Sequence, residues 1–143
     1  MSRLRLLLGS LLLLTAPFVH AGADDFLGYW KNQDSNGAVK YIQVKLDKGK
    51  PMVRAYGRCQ KGDCYWGGVE AMAFAPNERA NLEKEAVAVG AYFGDANARG
   101  IMILTPGNGK TLKVDLYAGF PRSDLTNVYK TYTFVPAPEL TGK

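Results

Sequence analysis

Histidine is almost missing from this sequence of 143 residues, in which His20 is the only one. Nucleophilic catalysis of the Ser-His-Asp or Cys-His kind needs histidine as a base, and many zinc sites use it as a ligand. Because His20 lies in a segment that we expect to be cleaved, the mature chain would contain none. The sequence therefore argues against histidine-based catalysis and histidine-ligated zinc, and it predicts no metal or other cofactor.

An apolar run long enough to cross a membrane is also missing. The apolar run of residues 6–14 falls short of the roughly 20 residues that a membrane-spanning helix needs. It follows two arginines and precedes a small-residue ending at Ala21, an arrangement typical of a secretory signal peptide. We therefore predict that residues 1–21 are a signal peptide and that residues 22–143 form one exported domain, periplasmic or secreted, without a membrane span.

Cysteine is scarce, with only Cys59 and Cys64 in the chain. A metal site would need further ligands, and a redox-active pair favours the Cys-x-x-Cys spacing at the start of a helix. The four intervening residues include Gly62 and are typical of a turn between two strands. In an oxidising compartment, cysteines this close are expected to pair. We predict a structural disulfide that fastens a hairpin.

A strong excess of one charge is lacking as well. Without Arg3 and Arg5, the chain keeps 16 of its 18 basic residues against 13 acidic ones, which gives a net charge of about +3. The charged residues are scattered, and no nucleic-acid-binding motif is present. Nucleic acid is therefore not an expected partner.

Helical periodicity is absent beyond residue 22, and alternation of apolar and polar residues takes its place. Residues 76–85 are polar and indicate a longer loop with one helical turn. Sequential hairpins with an even number of strands favour an all-β fold, an eight-stranded antiparallel up-and-down barrel, because closure leaves no exposed edge strand. A β-sandwich is the alternative. The eight predicted strands cover residues 27–32, 41–46, 52–57, 65–74, 87–93, 100–104, 111–118 and 128–135.

The first predicted strand carries Gly28 and Trp30 in a Gly-x-Trp motif. This motif, followed by eight strands, resembles the lipocalin and avidin-like barrels, the calycins. The resemblance implies that Gly28 lets the chain bend and that Trp30 plugs the closed end of the barrel. It also implies that a basic residue, Lys130 on the last strand or else Arg122, stacks over the indole ring in a cation–π contact.

A second motif, residues 57–59 and 63–67, resembles small secreted bacterial proteins of unassigned role. Barrels of this kind host binding, inhibition and occasional enzymes, so the resemblance does not determine the function. The biotin ligands of avidin cannot be placed on this chain residue by residue. Biotin binding is therefore not implied.

Aromatic residues give the main indication of function. An eight-stranded barrel has room for a packed interior or for one small ligand. One interpretation is that the aromatic side chains line a single cavity, and the other is that they fill or cover the core. The candidate ligand-binding residues are Tyr56, Trp66, Tyr92, Tyr117 and Tyr132.

Carboxylates are the remaining acid–base groups, and Glu70 is the strongest candidate because its strand is otherwise apolar. Three interpretations stay open. Glu70 faces outward into solvent, or it forms a buried ion pair with Arg54, or it is catalytic. We expect the first of these and predict that the protein is not an enzyme.

These observations lead to two functional hypotheses. In the first, the protein is a lipocalin-like carrier or sensor that binds a small apolar molecule in the mouth of the barrel. In the second, it is an inhibitor or immunity protein of the cell envelope that binds a toxin or hydrolase through the loops at residues 76–85 and 119–127.

Overall fold

The chain folds into a closed barrel of eight antiparallel strands, each hydrogen-bonded to the next along the sequence and the last to the first. The computed structural model describes residues 22–59 and 61–141, so the predicted signal peptide lies outside the described residues. The prediction of an all-β, up-and-down barrel is confirmed, and the sandwich alternative is set aside. The strands are β1 (Gly28–Asn32), β2 (Val39–Asp47), β3 (Lys50–Cys59), β4 (Gly62–Phe74), β5 (Ala88–Gly94), β6 (Arg99–Pro106), β7 (Leu112–Gly119) and β8 (Val128–Pro136).

Three short helical segments complete the described chain. A 3₁₀ turn at Ala23–Phe26 precedes β1, the helix α1 (Leu82–Glu85) lies between β4 and β5, and a second 3₁₀ turn at Pro138–Leu140 follows β8. Asn81 caps α1, since its side-chain oxygen accepts hydrogen bonds from the backbone N–H groups of Glu83 and Lys84. No helix among the described residues is long and apolar enough to cross a membrane.

Alternation along the strands separates an apolar inside from a mixed outside. Residues directly opposite each other on antiparallel strands share one face of the sheet, so buried residues of neighbouring strands lie side by side, as Met102 and Leu104 do with Leu116 and Val114. On β7, for example, Leu112, Val114 and Leu116 are buried and point inward. They meet the other buried side chains in one continuous core cluster.

One end of the barrel is closed by the segment before β1. Phe26 is fully buried there, and its carbonyl accepts a hydrogen bond from the indole N–H of Trp30 at 2.9 Å. Trp30 is 6% exposed and points into the core. Gly28, with a φ of +117°, adopts a backbone conformation that favours glycine where the chain enters β1.

The basic residues implied by the resemblance do not reach Trp30. On β8 the residue opposite Trp30 is Pro136, whereas Lys130 pairs with Leu116. Lys130 is exposed and lies about 20 Å from Pro136 along the strand, at about 3.3 Å per residue. Arg122 lies in the loop before β8, farther still along the chain. The resemblance therefore misplaced the basic partner of Trp30, because β8 approaches Trp30 only with its last residues.

The loop between β1 and β2 lies over the other end of the barrel. Asn32 is buried, and its side-chain amide donates to the carbonyl of Val39 at 2.7 Å. Gly37 packs so closely against the Asn32 amide and the Tyr132 ring that a Cβ atom there would collide with them. This end is therefore partly covered by backbone.

Candidate functional site

The five aromatic residues predicted to line one cavity do not lie together. Trp66 and Tyr132 point inward and pack against the core. Tyr56, Tyr92 and Tyr117 point outward, because the residues on either side of each in its strand face the barrel interior. The strand alternation thus divides the predicted set between the inside and the outside of the barrel.

The interior is occupied by side chains of the core. Eight strands enclose a space just wide enough for side chains to fill, and here large residues point into it from several strands. Five of them are at most 1% exposed: Ile42, Met102, Leu104, Leu112 and Phe134. At the partly covered end, Gly57 leaves room for the indole of Trp66, which would collide with a Cβ atom at this position. The interior is therefore a packed core rather than the predicted ligand site.

A concave apolar site lies instead on the outer side of β1–β4, which we name the groove face. We call this site the tyrosine groove, and its volume is about 290 Å³. One tyrosine comes from each of the four strands, and a leucine comes from the turn after β8. The lining residues are Tyr29, Tyr41, Tyr56, Asp63, Cys64, Tyr65 and Leu140.

Strand register explains how the tyrosines come together. Tyr41 is opposite Tyr56, and Tyr56 is opposite Tyr65, so three rings stand side by side across β2, β3 and β4. The rings of Tyr56 and Tyr65 lie 5.0 Å apart between centroids with an interplanar angle of 38°. The register shifts on both sides of Tyr56, leaving Lys40 and Trp66 without a direct partner. Such bulges bend the strands, which gives this part of the sheet its concave shape.

The rim of the groove is fixed by two further contacts. The backbone N–H of Ala137 donates to the carbonyl of Tyr29 at 2.8 Å, which holds the Pro138–Leu140 turn and its Leu140 side chain beside β1. Cys59 and Cys64 form the predicted disulfide, with their Cα atoms 5.9 Å apart. Because Cys64 itself lines the groove, the bridge fastens the β3–β4 hairpin at the site.

Charged residues surround the tyrosine groove without filling it. Asp63 lines it, and Arg58 lies opposite Asp63 on β3. Glu70 is on the outside of the barrel and pairs with Lys50 at 3.0 Å, not with Arg54. Arg54 contacts Gln43 instead, at 3.5 Å. Glu70 therefore faces outward, as expected, and the alternative of a buried ion pair with Arg54 is not observed.

A second aromatic surface covers the outer side of β5–β8, which we name the row face. Tyr92, Ile101, Tyr117 and Tyr129 are consecutive cross-strand partners, and each is about half exposed. We call these four residues the aromatic row. The rings of Tyr117 and Tyr129 lie 4.8 Å apart between centroids. The register is unbroken from β5 to β8, so the aromatic row lacks the bulges that bend the groove face.

A polar cluster beside the aromatic row orients one of its rings. The Tyr129 hydroxyl donates to Asp115 at 2.8 Å, and Lys113 forms an ion pair with the same carboxylate at 2.7 Å. Burial acts to raise the pKa of Asp115, but hydrogen bonds from Lys113, Tyr129 and Thr131 outweigh it and hold that pKa below its ordinary value. The charge of Lys113 is thereby matched locally.

No group of three or more metal-ligating side chains occurs in residues 22–59 and 61–141. Sequence reasoning missed Tyr29, Tyr41, Tyr65 and Leu140 of the groove, and Ile101 and Tyr129 of the row. The outward positions in each alternating strand are the signal that would have found the tyrosines. Leu140 carries no such signal, because its place depends on where the chain turns after β8.

The fold and site together define a small closed β-barrel with aromatic residues on two outer faces. Comparison with family models, with curated proteins and with solved structures found no match.

Proposed function

We propose that this protein is an exported binding protein, a lipocalin-like carrier or sensor of a small and largely apolar molecule. Its site is the tyrosine groove on the outside of the barrel, in place of the barrel mouth. The observation that carries the proposal is the convergence of four tyrosines, one from each of four consecutive strands, on one groove of about 290 Å³.

Size and chemistry point to a compact ligand with a flat apolar surface. Small-molecule sites usually measure about 300–1,000 Å³, so this groove stands at the lower end of that range. Aromatic rings offer large apolar contact area at little entropic cost, and tyrosine adds a hydroxyl that can orient a polar atom of the ligand. Asp63 supplies one further polar contact at the rim.

Two features support export and binding over catalysis. A disulfide persists in oxidising compartments, which agrees with the signal peptide predicted for residues 1–21. The chain beyond that segment has no histidine, and its strongest carboxylate candidate, Glu70, forms an exposed ion pair outside the groove. The proposal therefore assigns no catalytic residue.

A fluorescence titration with N-phenyl-1-naphthylamine, a neutral apolar probe, tests the site. We expect the probe to bind the wild-type protein and to lose at least about tenfold in affinity, or ~1.4 kcal/mol, in Tyr56→Ala. The matched control is Tyr117→Ala, which removes an equally outward ring from the row face. Unchanged affinity in Tyr56→Ala would overturn the proposal. If Trp66→Ala alone weakened probe binding, the ligand site would lie instead at the end of the barrel where Trp66 packs.

A second candidate function, an envelope inhibitor or immunity protein that binds through its loops, is favoured by one observation. In the loop between β7 and β8, Leu125 is 63% exposed, and the Asn127 side chain holds the loop base by accepting from the Phe120 N–H at 3.2 Å. Native mass spectrometry of protein purified from its source separates the candidates. A bound protein that is lost in Leu125→Ser would favour the inhibitor, and a small added mass would favour the carrier.

A further inference from the structure

We propose that the aromatic row is the contact through which two copies of this chain pair as a symmetric dimer. This inference is independent of the tyrosine groove, since it concerns the opposite side of the barrel. It rests on the area of the row face, its charge and its symmetry.

The exposed apolar area of the row face reaches the upper part of the range that a monomer usually carries. The four residues of the aromatic row are 46–54% exposed, and Met72 and Phe74 extend the surface at 63% and 43%. Phe74 lies over Gly90, near Ile103, so the extension is continuous with the row. A fully buried aromatic side chain covers about 150–250 Å², so six large residues that are each about half exposed offer on the order of 450–750 Å².

That area fits an interface between two chains. The largest apolar patch on a typical monomer measures about 300–600 Å², and larger ones mark interaction sites. A stable interface buries about 800 Å² on each partner, with its polar rim included. The apolar surface of the row face would supply a large part of this area, and the polar residues around it would form the rim.

Charge favours a second copy as the occupant. The chain is basic overall, so two copies repel each other through most of their surfaces. On the row face, however, Lys113 is neutralised by Asp115 at 2.7 Å. Arg99 lies at the edge of the face, at the end of β6, where it is exposed to solvent. The centre of the row face is therefore close to neutral, and copies can approach there without repulsion.

The order of residues in the row is compatible with two-fold symmetry. In a symmetric dimer, each residue meets a residue of the same surface in the second copy. A two-fold axis that passes between Ile101 and Tyr117 brings Ile101 of each copy against Tyr117 of the other copy. The same axis places Tyr92 against Tyr129 of the second copy. Large apolar side chains thus meet at every position of the row.

Sedimentation velocity of the purified protein, from micromolar to submillimolar concentration, tests the dimer. We expect the mass to rise from one copy to two, and Ile101→Lys to raise the midpoint concentration at least about tenfold, or ~1.4 kcal/mol. The matched control is Tyr65→Lys, which places the same charge at a similarly exposed position of the groove face. Circular dichroism of each variant verifies that the barrel is folded.

Three outcomes would overturn the proposal. A wild-type protein that stays monomeric throughout would show that the row face does not pair with itself and would leave it to a different protein. Masses that grow beyond two copies would contradict a closed, symmetric contact. An equal shift of the midpoint in Ile101→Lys and Tyr65→Lys would place the contact elsewhere on the molecule.

Discussion

The two outer faces of this barrel start from the same pattern and differ in shape. On the groove face, Tyr41, Tyr56 and Tyr65 are cross-strand partners, just as the residues of the aromatic row are on the row face. The groove face contains two register shifts and is bordered by Leu140, whereas the row face has an unbroken register. Bulges and a rim, rather than the residue types, therefore give the groove face its concave site.

Charge separates the faces as well. Among the described residues only two ion pairs form, Lys50–Glu70 and Lys113–Asp115. The second one neutralises the row face, while Lys31, Arg54 and Arg58 of the groove face take part in neither. A concave face with free charge suits a ligand that must be oriented, and a face whose centre is close to neutral suits a second copy of the chain.

The largest expected effect comes from the core on which both faces depend. Trp30→Ala removes a buried indole together with its hydrogen bond to Phe26, and we expect the free energy of unfolding to fall by about 3–5 kcal/mol. Denaturant unfolding measures it, with Tyr92→Ala as a control on the exposed surface. A loss below about 1 kcal/mol would show that Trp30 is not part of the common core.

Removing the disulfide should affect the groove face and leave the row face unchanged. The double change Cys59→Ser and Cys64→Ser opens a short loop, so we expect a stability loss near the low end of the usual range, about 2 kcal/mol. Because Cys64 lines the groove, probe affinity should weaken while self-association through the row face stays the same. If both properties changed together, the faces would not be independent.

The pH dependence of Asp115 tests the polar support of the row face. In Tyr129→Phe the carboxylate loses one donor, so the pKa of Asp115 should rise from its lowered value toward the ordinary 3.8. A depressed pKa in the folded state stabilises the protein above the unfolded pKa, and this contribution disappears as the pH falls through the folded pKa. NMR titration of the Asp115 carboxyl measures the shift.

The difference in the free energy of unfolding between wild type and Tyr129→Phe should depend on pH in the same way as the ionisation of Asp115. It should be present at neutral pH and vanish in acid below both pKa values, where Asp115 is protonated in either protein. Tyr117→Phe serves as the control, since Asp115 accepts no hydrogen bond from that hydroxyl. An unchanged pKa in Tyr129→Phe would contradict the hydrogen bond.

The smallest effect is expected at Glu70. Its ion pair with Lys50 is exposed on both sides, and such pairs contribute about 0–1 kcal/mol. Glu70→Gln should therefore fold with nearly wild-type stability and keep its binding activity within a few-fold. A stable variant with a hundredfold loss of activity would instead indicate carboxylate catalysis.

The sequence predicted the barrel well because alternation and turn residues are local signals. The alternation of Leu112, Val114 and Leu116 gave β7 within one residue, and the glycine-containing turn gave the Cys59–Cys64 hairpin. The site was harder to predict. Whether Tyr56 faces inward or outward depends on which residues of its strand are buried, because inward and outward positions alternate. The bulge at Trp66 depends in turn on the register in which β3 and β4 pair.

Packing decided the other differences. The resemblance to calycins implied Lys130 as the partner of Trp30, but the β8 register brings Pro136 there. The position of Leu140 follows from a hydrogen bond between Ala137 and Tyr29, which no local pattern indicates. Both depend on contacts between the two ends of the chain.

Tyrosine-selective NMR tests the separation of the two faces most directly, because the eight tyrosines report on both faces and on the interior. N-phenyl-1-naphthylamine should shift the resonances of the four groove tyrosines, Tyr29, Tyr41, Tyr56 and Tyr65. Dilution should shift those of Tyr92, Tyr117 and Tyr129, and Tyr132 inside the barrel should respond to neither. A probe that shifted Tyr132 or the row tyrosines, while leaving Tyr56 unchanged, would contradict the account.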